Sequence, residues 1–387
     1  MRLPPQTPWL TDPDVRAVFH AVTGTGGYGL YFVGGCVRNA LMGVAGSDID
    51  LATDAPPNQV MALAQAAGLR AVPTGIDHGT VTVVSGGNGF EITTFRQDVQ
   101  TDGRRARVSF AASMTQDARR RDFTINALYA DLSGQVIDPL GGLPDLIARR
   151  VRFIEDAGAR IREDYLRILR FFRFHAHYAD PALGFDAATL DAIARNLDGL
   201  AALSSERVTS ELRKLLGAGD PAPAVAAMRQ TGVLARVLEG ADDRLLAPVV
   251  HAEATLSLAP DWLLRLASIT ALRAGLRLTR NEIRHFEALH KAAFDGPTLS
   301  EVAYRQGTEV ARGAMILRAV LAGTGVDCRD LPALARAGAA VFPLRGGDLP
   351  ALKGKALGAR LRQLEEIWIA SDFALDKQAL LNRARTL

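Results

Sequence analysis

The chain has 387 residues, too many for one compact core, so two to four domains are expected. Hydrophobic residues make up 48% and charged residues 22%, and no run of eighteen apolar residues occurs, which fits a soluble globular protein and excludes a helical membrane span. The net charge of +3 is too small to argue for a nucleic-acid partner by itself.

The opening MRLPPQTPWLTDPDV has prolines and acids where a signal peptide needs an apolar core. The two cysteines, Cys36 and Cys328, have no metal-ligand spacing around them, so neither a disulfide framework nor a zinc site is expected and a reducing cytoplasm fits. Of 45 basic residues only five are lysine. Arginine forks grip phosphates bidentately, although a GC-rich genome gives the same bias.

From Tyr31 to about Asp138 the pattern is that of strands and short helices. LYFVGG, GTVTVVSG and FEITTFR are short β-branched or aromatic runs bounded by glycine or turn residues. NQVMALAQAA, Asn58 to Ala67, reads as a helix started by Asp54-Ala-Pro-Pro. From about Ile147 onward strand patterns almost vanish. IREDYLRILRFFRFHAHY, DAATLDAIARNL, SERVTSELRKLLG, APAVAAMRQTGVLARVLE and LPALARAGAAVF carry helical periodicity, with proline or glycine at most joints. The expected class is α+β: a mixed head followed by a long, all-helical arm.

The strongest signal is YFVGGCVRNALMGVAGSDIDLAT. A strand ending in Gly34-Gly35 before a helix lets backbone amides approach a phosphate, and Arg38 follows one turn later. Asp48 and Asp50 are two apart, so on a strand both carboxylates project from one face. Two like charges that close call for a cation. Mg²⁺ suits them, since it shares hard oxygen ligands with substrate phosphates, and two ions could stabilise the attacking and leaving oxygens of an in-line displacement. Glu91, in GFEITTFR, is the candidate third carboxylate, either joining the metals or accepting the attacking hydroxyl's proton.

In combination and order, GGCVRN, SDID, FEITTFRQDVQTDGRR, RRRDFTINALY, DPLGGLPDL and REDYLRILRFFRF resemble the class II tRNA nucleotidyltransferases, the CCA-adding enzymes and the related bacterial poly(A) polymerases. The resembling stretch runs from about Tyr31 to about Leu216. It implies a polymerase-beta-like head with a small mixed sheet over residues 1–146, a helical neck over 147–216, a body over 217–300 and a tail over 301–387. The implied activity is template-independent addition of CCA to the tRNA 3′ end from CTP and ATP with Mg²⁺. Poly(A) addition, or CC-only or A-only addition, is the alternative.

Arg119 to Arg121 suit a triphosphate. The resemblance makes Arg121 the triphosphate contact and Asp122 the reader of the ribose, with Asn126 one helical turn beyond. In REDYLRILRFFRF, Asp164, Arg167 and Arg170 recur every three residues and form one polar helix edge, which Arg173 continues. A carboxylate beside a guanidinium offers an acceptor and a two-pronged donor, enough to match cytosine or adenine, so protein side chains could serve as the template. FRQDVQTDGRRARVSF reads as a mobile hairpin, and DPLGGLPDL, Asp138 to Leu146, as a hinge between head and neck. Where the family has Gly-Gly-x-Val-Arg-Asp, this chain ends in Asn39, which loses a charge beside Arg38.

The arm carries no His-Asp metal pair around His251, His285 or His290. Its Arg273, Arg277, Arg280, Arg284, Lys291, Lys353, Lys355, Arg360 and Arg362 are candidate contacts to tRNA phosphates.

Overall fold

The structure, a computed structural model, describes residues 1–24, 26–46, 48–102, 105–110, 113–271 and 275–386, and no side chains within 97–112. The chain divides into two compact units, Met1–Glu211 with Gln230–Arg236, and Leu212–Arg229 with Val237–Leu387.

The first unit opens with helices α1 (Pro8–Thr11) and α2 (Pro13–Thr23), which the sequence reading had not drawn. Asp12 caps α2 by accepting from the amides of Asp14 and Val15, and Pro13 stands at the first helical position, where its missing N–H costs nothing. Strand β1 (Leu30–Val33) leads into α3 (Gly35–Met42). Then come β2 (Asp50–Thr53), α4 (Pro57–Ala66), β3 (Arg70–Gly75), β4 (Thr80–Ser85) and β5 (Asn88–Thr94). Helix α4 begins one residue earlier than read from the sequence. Asp54 does not cap it; its carboxylate accepts instead from the amide of Gly29 at 2.8 Å.

With the short strands β8 (Tyr129–Ala130) and β9 (Val136–Ile137), these strands form one sheet in the order β3-β4-β5-β2-β1-β8-β9. Among its pairings only β2–β5 is parallel. A parallel pair needs a crossover, and α4 with the β3–β4 hairpin supplies it. The register sets Asp50 beside Glu91. Val15, Val18, Phe19 and Val22 of α2 and Val60 and Ala64 of α4 are buried with Phe32, Val81, Val83 and Ile92 of the sheet. Each large apolar side chain so covered contributes about 1.5–3 kcal/mol. The strands β6 (Arg96–Asp102) and β7 (Arg105–Phe110) pair as a separate hairpin; Gly103 and Arg104 at its tip, like Ser47 of SDID, lie outside the described residues.

Helix α5 (Met114–Arg119) ends before the arginine run finishes. Asp122 follows in a bend and Phe123 in extended backbone, and Asn126 closes a short 3-10 turn. Asp122 and Asn126 are therefore not one α-helical turn apart, as the spacing had implied. They meet nonetheless, the Asn126 amide donating to the Asp122 carboxylate at 2.9 Å. The segment read as a hinge carries α6 (Leu143–Ile147) and is tied down: Asp138 accepts from the amides of Gly142 and Leu143, and buried Asp145 accepts from Thr124 at 2.7 Å and Arg152 at 2.9 Å.

REDYLRILRFFRF is two helices rather than one. Helix α7 (Ala157–Glu163) stops at Asp164, which is extended at φ −154°, ψ 106°, and α8 (Leu166–Tyr178) starts two residues later. The cause is local. The Asp164 carboxylate accepts from the amide of Leu166 at 3.1 Å, the side-chain-to-backbone competition that makes aspartate a helix breaker. Helices α9 (Ala187–Ala194) and α10 (Ser205–Leu216) follow.

Among the described residues the second unit contains helices only, most of α11 (Ala222–Gln230) and those from α13 (Leu246–Thr255) to α20 (Lys377–Thr386). The predicted helix over APAVAAMRQTGVLARVLE is split at Gly232, whose φ of 84° ends α11. Arg265 is 2% exposed; it pairs with Glu253 at 2.7 Å and donates to the carbonyls of Leu216, Ala218 and Gly219, satisfying helix-end acceptors. No helix among the described residues is long and apolar enough to cross a membrane. Both cysteines are free thiols, Cys36 buried and Cys328 exposed.

Candidate functional site

A cleft of about 450 Å³ in the first unit gathers most of the residues singled out above: Gly34, Gly35, Arg38, Asp50, Arg121, Asp122, Asn126, Asp164, Arg167 and Arg170. It also takes in Arg120, from the arginine run, and Phe174 and Arg207, which sequence reasoning had passed over.

Gly34 is needed twice. Its φ of 73° is a left-handed conformation, and a Cβ there would sit 3.3 Å from the Arg121 guanidinium. Gly34 thus makes room for the guanidinium that lines the cleft. Arg121 is anchored on Asp117 at 3.1 Å and lies over the Tyr129 ring at 5.5 Å, while the Tyr129 hydroxyl donates to the same carboxylate at 2.7 Å. Arg120 takes the other oxygen of Asp117 at 2.8 Å. Burial alone would raise the Asp117 carboxyl, but Arg121, Arg120 and Tyr129 hold it down at about 2. The Nε of Arg121 is buried without a hydrogen-bond partner.

Asp50 opens β2, whereas Asp48 precedes the strand, so their common direction does not come from strand alternation. Burial raises the Asp50 carboxyl above the usual range, Glu91 and Asp48 add to that, and Arg121 opposes it. A cation would relieve this concentration of negative charge, so the donor set fits a hard divalent metal. Among the described residues no three of Asp, Glu, His and Cys converge into a closed cage. Asp48 and Glu91 are exposed beside Asp50 and do not line the cleft itself.

Arg38 is an internal brace. It is 5% exposed; its Nε and Nη2 donate to Asn39 at 3.0 and 2.8 Å, Nη1 to Asn126 at 2.5 Å and Nη2 to the Tyr178 hydroxyl at 2.8 Å. It also lies over the Tyr178 ring at 4.0 Å. The Asn39 oxygen does hold Arg38, and no ion pair to Arg38 occurs among the described residues. Burial lowers the guanidinium's proton affinity.

The polar edge drawn over Asp164, Arg167 and Arg170 is rebuilt rather than lost. Asp164, in its extended link, accepts from Arg207 of α10 at 2.6 Å. Arg167, on α8, is held by Glu163 at 2.5 Å and by the carbonyls of Arg160 and Arg120 at 3.0 and 2.9 Å. Carboxylate and guanidinium therefore reach the cleft from separate supports. Arg170 binds Asp122. Arg173 leaves the edge: it pairs with Glu211 at 2.6 Å and does not line the cleft. Asp117 had a readable signal, an acid three and four residues ahead of two arginines on a helix. Arg207 had none, because it lies 43 residues beyond Asp164.

In the second unit His290 bonds the Thr270 carbonyl at 2.8 Å, as a structural histidine does. Arg277, Arg280, Arg284, Lys291, Lys353, Lys355 and Arg362 are exposed, Arg360 is partly buried with a bond to the Ala384 carbonyl, and Arg273 lies outside the described residues.

Residues 30–152 match the family model of the poly(A) polymerase head domain, and residues 183–245 that of the probable RNA- and SrmB-binding site of polymerase A. The human mitochondrial CCA tRNA nucleotidyltransferase 1 is 33% identical over 386 residues, covering 91% of this chain and 86% of that protein. The crystal structure of the Bacillus stearothermophilus CCA-adding enzyme in complex with CTP superposes with a TM-score of 0.71 at 28% identity, over 97% of this chain and 99% of that one. The Thermotoga maritima CCA-adding enzyme complexed with tRNA shares the fold, with a TM-score of 0.73 at 18% identity over 100% and 99% of the two chains. Nucleotidyltransferases with this head generally use a divalent metal. With a relative that is one-third identical along nine-tenths of its length, the chain belongs to the class II CCA tRNA nucleotidyltransferase and poly(A) polymerase family.

Proposed function

We propose that this protein adds cytidine, cytidine and adenosine to the 3′ end of tRNA, using CTP and ATP. The observation that carries the reading is a single cleft lined by Asp50, Arg121, Asp122, Asp164 and Arg167, with the charges of Asp48 and Glu91 acting on Asp50. In each cycle the terminal 3′-oxygen forms a bond to the α-phosphorus of the nucleotide, the bond to the β-phosphate oxygen breaks, and pyrophosphate leaves with its electron pair. Asp48 and Asp50 would hold Mg²⁺, two ions in our reading, which when bound supplies positive charge to the phosphate oxygens. Arg121, with Nε unpartnered, takes the triphosphate. Glu91 is the candidate acceptor for the hydroxyl proton. Gly34 and Gly35 admit the phosphates to the start of α3, behind which Arg38, gripped by Asn39 and Tyr178, keeps Asn126 in place. Asp164 accepts from the exocyclic amine of cytosine or adenine and Arg167 donates to the adjacent ring acceptors, so one edge selects both bases and rejects uracil and guanine.

We divide the chain into a head over residues 1–146, a neck over 147–216, a body over 217–300 and a tail over 301–387, the last two contributing exposed arginines and lysines to RNA phosphates. A cytoplasmic location is our inference from the two free thiols; the human relative is mitochondrial. The name of the head model covers poly(A) polymerases, so tail addition is the second reading. Incubation with Mg²⁺, labelled CTP or ATP, and tRNA transcripts ending before CCA, after C or after CC decides between them. Stepwise completion of all three transcripts is expected. Long adenylate tails, or A added only to the last transcript, would refute CCA addition.

A further inference from the structure

A second cavity, of about 380 Å³, opens in the same unit on another face of α8. Phe171 and His175 line it, where Arg170 and Phe174 line the catalytic cleft; neighbouring helix positions differ by about 100° in direction. Its interior is apolar and aromatic, built from Val151, Phe171, His175 and Phe185. The His175 and Phe185 rings stack with centroids 3.7 Å apart, and the Gly184 carbonyl pins the imidazole at 3.0 Å. Leu183, 51% exposed, stands at the rim.

The mouth is cationic. Arg149, Arg150 and Arg152 all line it and all are exposed. Arg150 and Arg152 share one carboxylate, Asp145, at 3.7 and 2.8 Å, and Arg149 makes no ion pair among the described residues. The rim acid Asp186 is engaged by Thr189 through two bonds of 2.8 and 2.7 Å. Arg149 also has a φ of 49°, in the position after α6 where glycine is favoured, closed by bonds from its own amide to Leu146 and from the Arg150 amide to Asp145. A guanidinium is kept here at a backbone cost of about 1 kcal/mol. Cationic mouth and aromatic slot together select a ligand with an anionic group on a flat ring system. An inorganic anion would leave the slot unused, and an apolar ligand would leave the arginines unused.

We propose that this cavity is a second nucleotide site, taking a phosphorylated nucleoside with its base against the half-buried Phe185 and its phosphate on Arg149, Arg150 and Arg152. Stacking of a base on an aromatic side chain is worth about 1–3 kcal/mol, and arginine forks match phosphate geometry. The nucleotide is either a residue of the acceptor RNA or a free mononucleotide. Rim residues Leu183 to Thr189 fall within the stretch matched by the RNA-binding family model, which favours RNA. The RNA arm of the test rests on the tRNA reading given above; the mononucleotide arm does not.

Arg149→Gly is the informative variant, because it removes the guanidinium while relieving the backbone, so its Tm should equal or exceed that of the parent. Leu183→Glu sets a like charge against the phosphate from an exposed position. If RNA fills the site, both variants raise KM for tRNA about tenfold, with kcat and KM for CTP unchanged. If a free nucleotide fills it, tRNA kinetics stay constant, and the full-length protein binds AMP in a way that saturating CTP does not displace and that Arg149→Gly abolishes. A folded Arg149→Gly protein matching the parent in both tRNA KM and CTP-resistant AMP binding overturns the proposal. Lack of nucleotide addition by the parent would instead defeat the tRNA reading, and the AMP measurement would still decide the cavity.

Discussion

Arg170 grips one oxygen of Asp122 through Nε at 2.7 Å and Nη2 at 2.6 Å, while the other oxygen accepts from the Phe123 and Asn126 amides, both at 2.9 Å. All four acceptor positions of this carboxylate are occupied by protein. Contact between Asp122 and a ribose hydroxyl therefore requires Arg170 or Asn126 to yield a position. Arg170→Ala leaves a buried carboxylate without its cation and should destabilise the protein by about 2 kcal/mol, less than for a fully buried pair because Arg170 is partly exposed. Urea unfolding checks this. Asp122→Asn in the same background should recover part of the loss, and strict additivity of the two changes would argue against a direct pair.

Tyr178 holds Arg38 in two ways, by its hydroxyl and by its ring. Tyr178→Phe removes only the hydrogen bond and should cost about 1 kcal/mol, roughly fivefold in kcat/KM for CTP, whereas Tyr178→Leu should cost more. Asn39→Asp should leave activity within a few-fold, because the amide oxygen already fills the bracing position. Steady-state kinetics of the three variants separate these expectations.

Asp50→Asn and Asp48→Ala should each reduce nucleotide incorporation by about a thousandfold or more while altering tRNA affinity less than twofold. Chelation with EDTA should abolish activity of the parent, and added Mg²⁺ should restore it. Filter binding alongside the incorporation assay distinguishes loss of chemistry from loss of RNA.

Asp117 provides a pH test. Its carboxyl, held at about 2 against an ordinary 3.8, stabilises the fold above the ordinary value, and that contribution is lost as the pH falls through about 2. Nearly two pH units correspond to roughly 2 kcal/mol. Asp117→Asn should lower Tm at neutral pH and flatten the acid limb of the stability curve. An unchanged acid limb in thermal melts between about pH 5 and 2 would contradict the assignment.

Asp164 and Arg207 should separate base choice from catalysis. Asp164→Ala should admit UTP or GTP at a rate within about tenfold of the correct nucleotide, since one good acceptor–donor match is worth about 1–3 kcal/mol. Arg207→Ala frees the carboxylate from its anchor and should weaken discrimination less, with a raised KM for CTP and ATP. Competition assays with mixed nucleotides report both.

Motifs confined to adjacent residues were readable in the sequence. The strand into Gly34 falls where local pattern put it, and Asp50 and Arg121 line one cleft, whereas Asp48 stands ahead of the strand on which the spacing had placed it. Features set by one side chain competing for the backbone were not. Asp164 breaks what periodicity drew as a single helix, and the turn at Asp122 replaces a helical one. Contacts across long separations were also invisible: Glu211 draws Arg173 from the cleft, Arg207 enters it, and α8 delivers Tyr178 to Arg38. Strands of two residues, β8 and β9, carry too little pattern to be seen at all.

The parallel register of β2 and β5 joins Asp50 to Glu91 across some forty residues of chain. No segment that ends before β5 can assemble this charge cluster, and during synthesis the cluster cannot exist until the crossover has folded. These like-charged carboxylates therefore come together only in a chain that has already built the sheet able to bear their repulsion. With the metal on Asp48 and Asp50 as proposed, divalent-ion affinity becomes a measure of completed head folding, and a truncated or misregistered head would reveal itself by indifference to the ion before any assay with RNA.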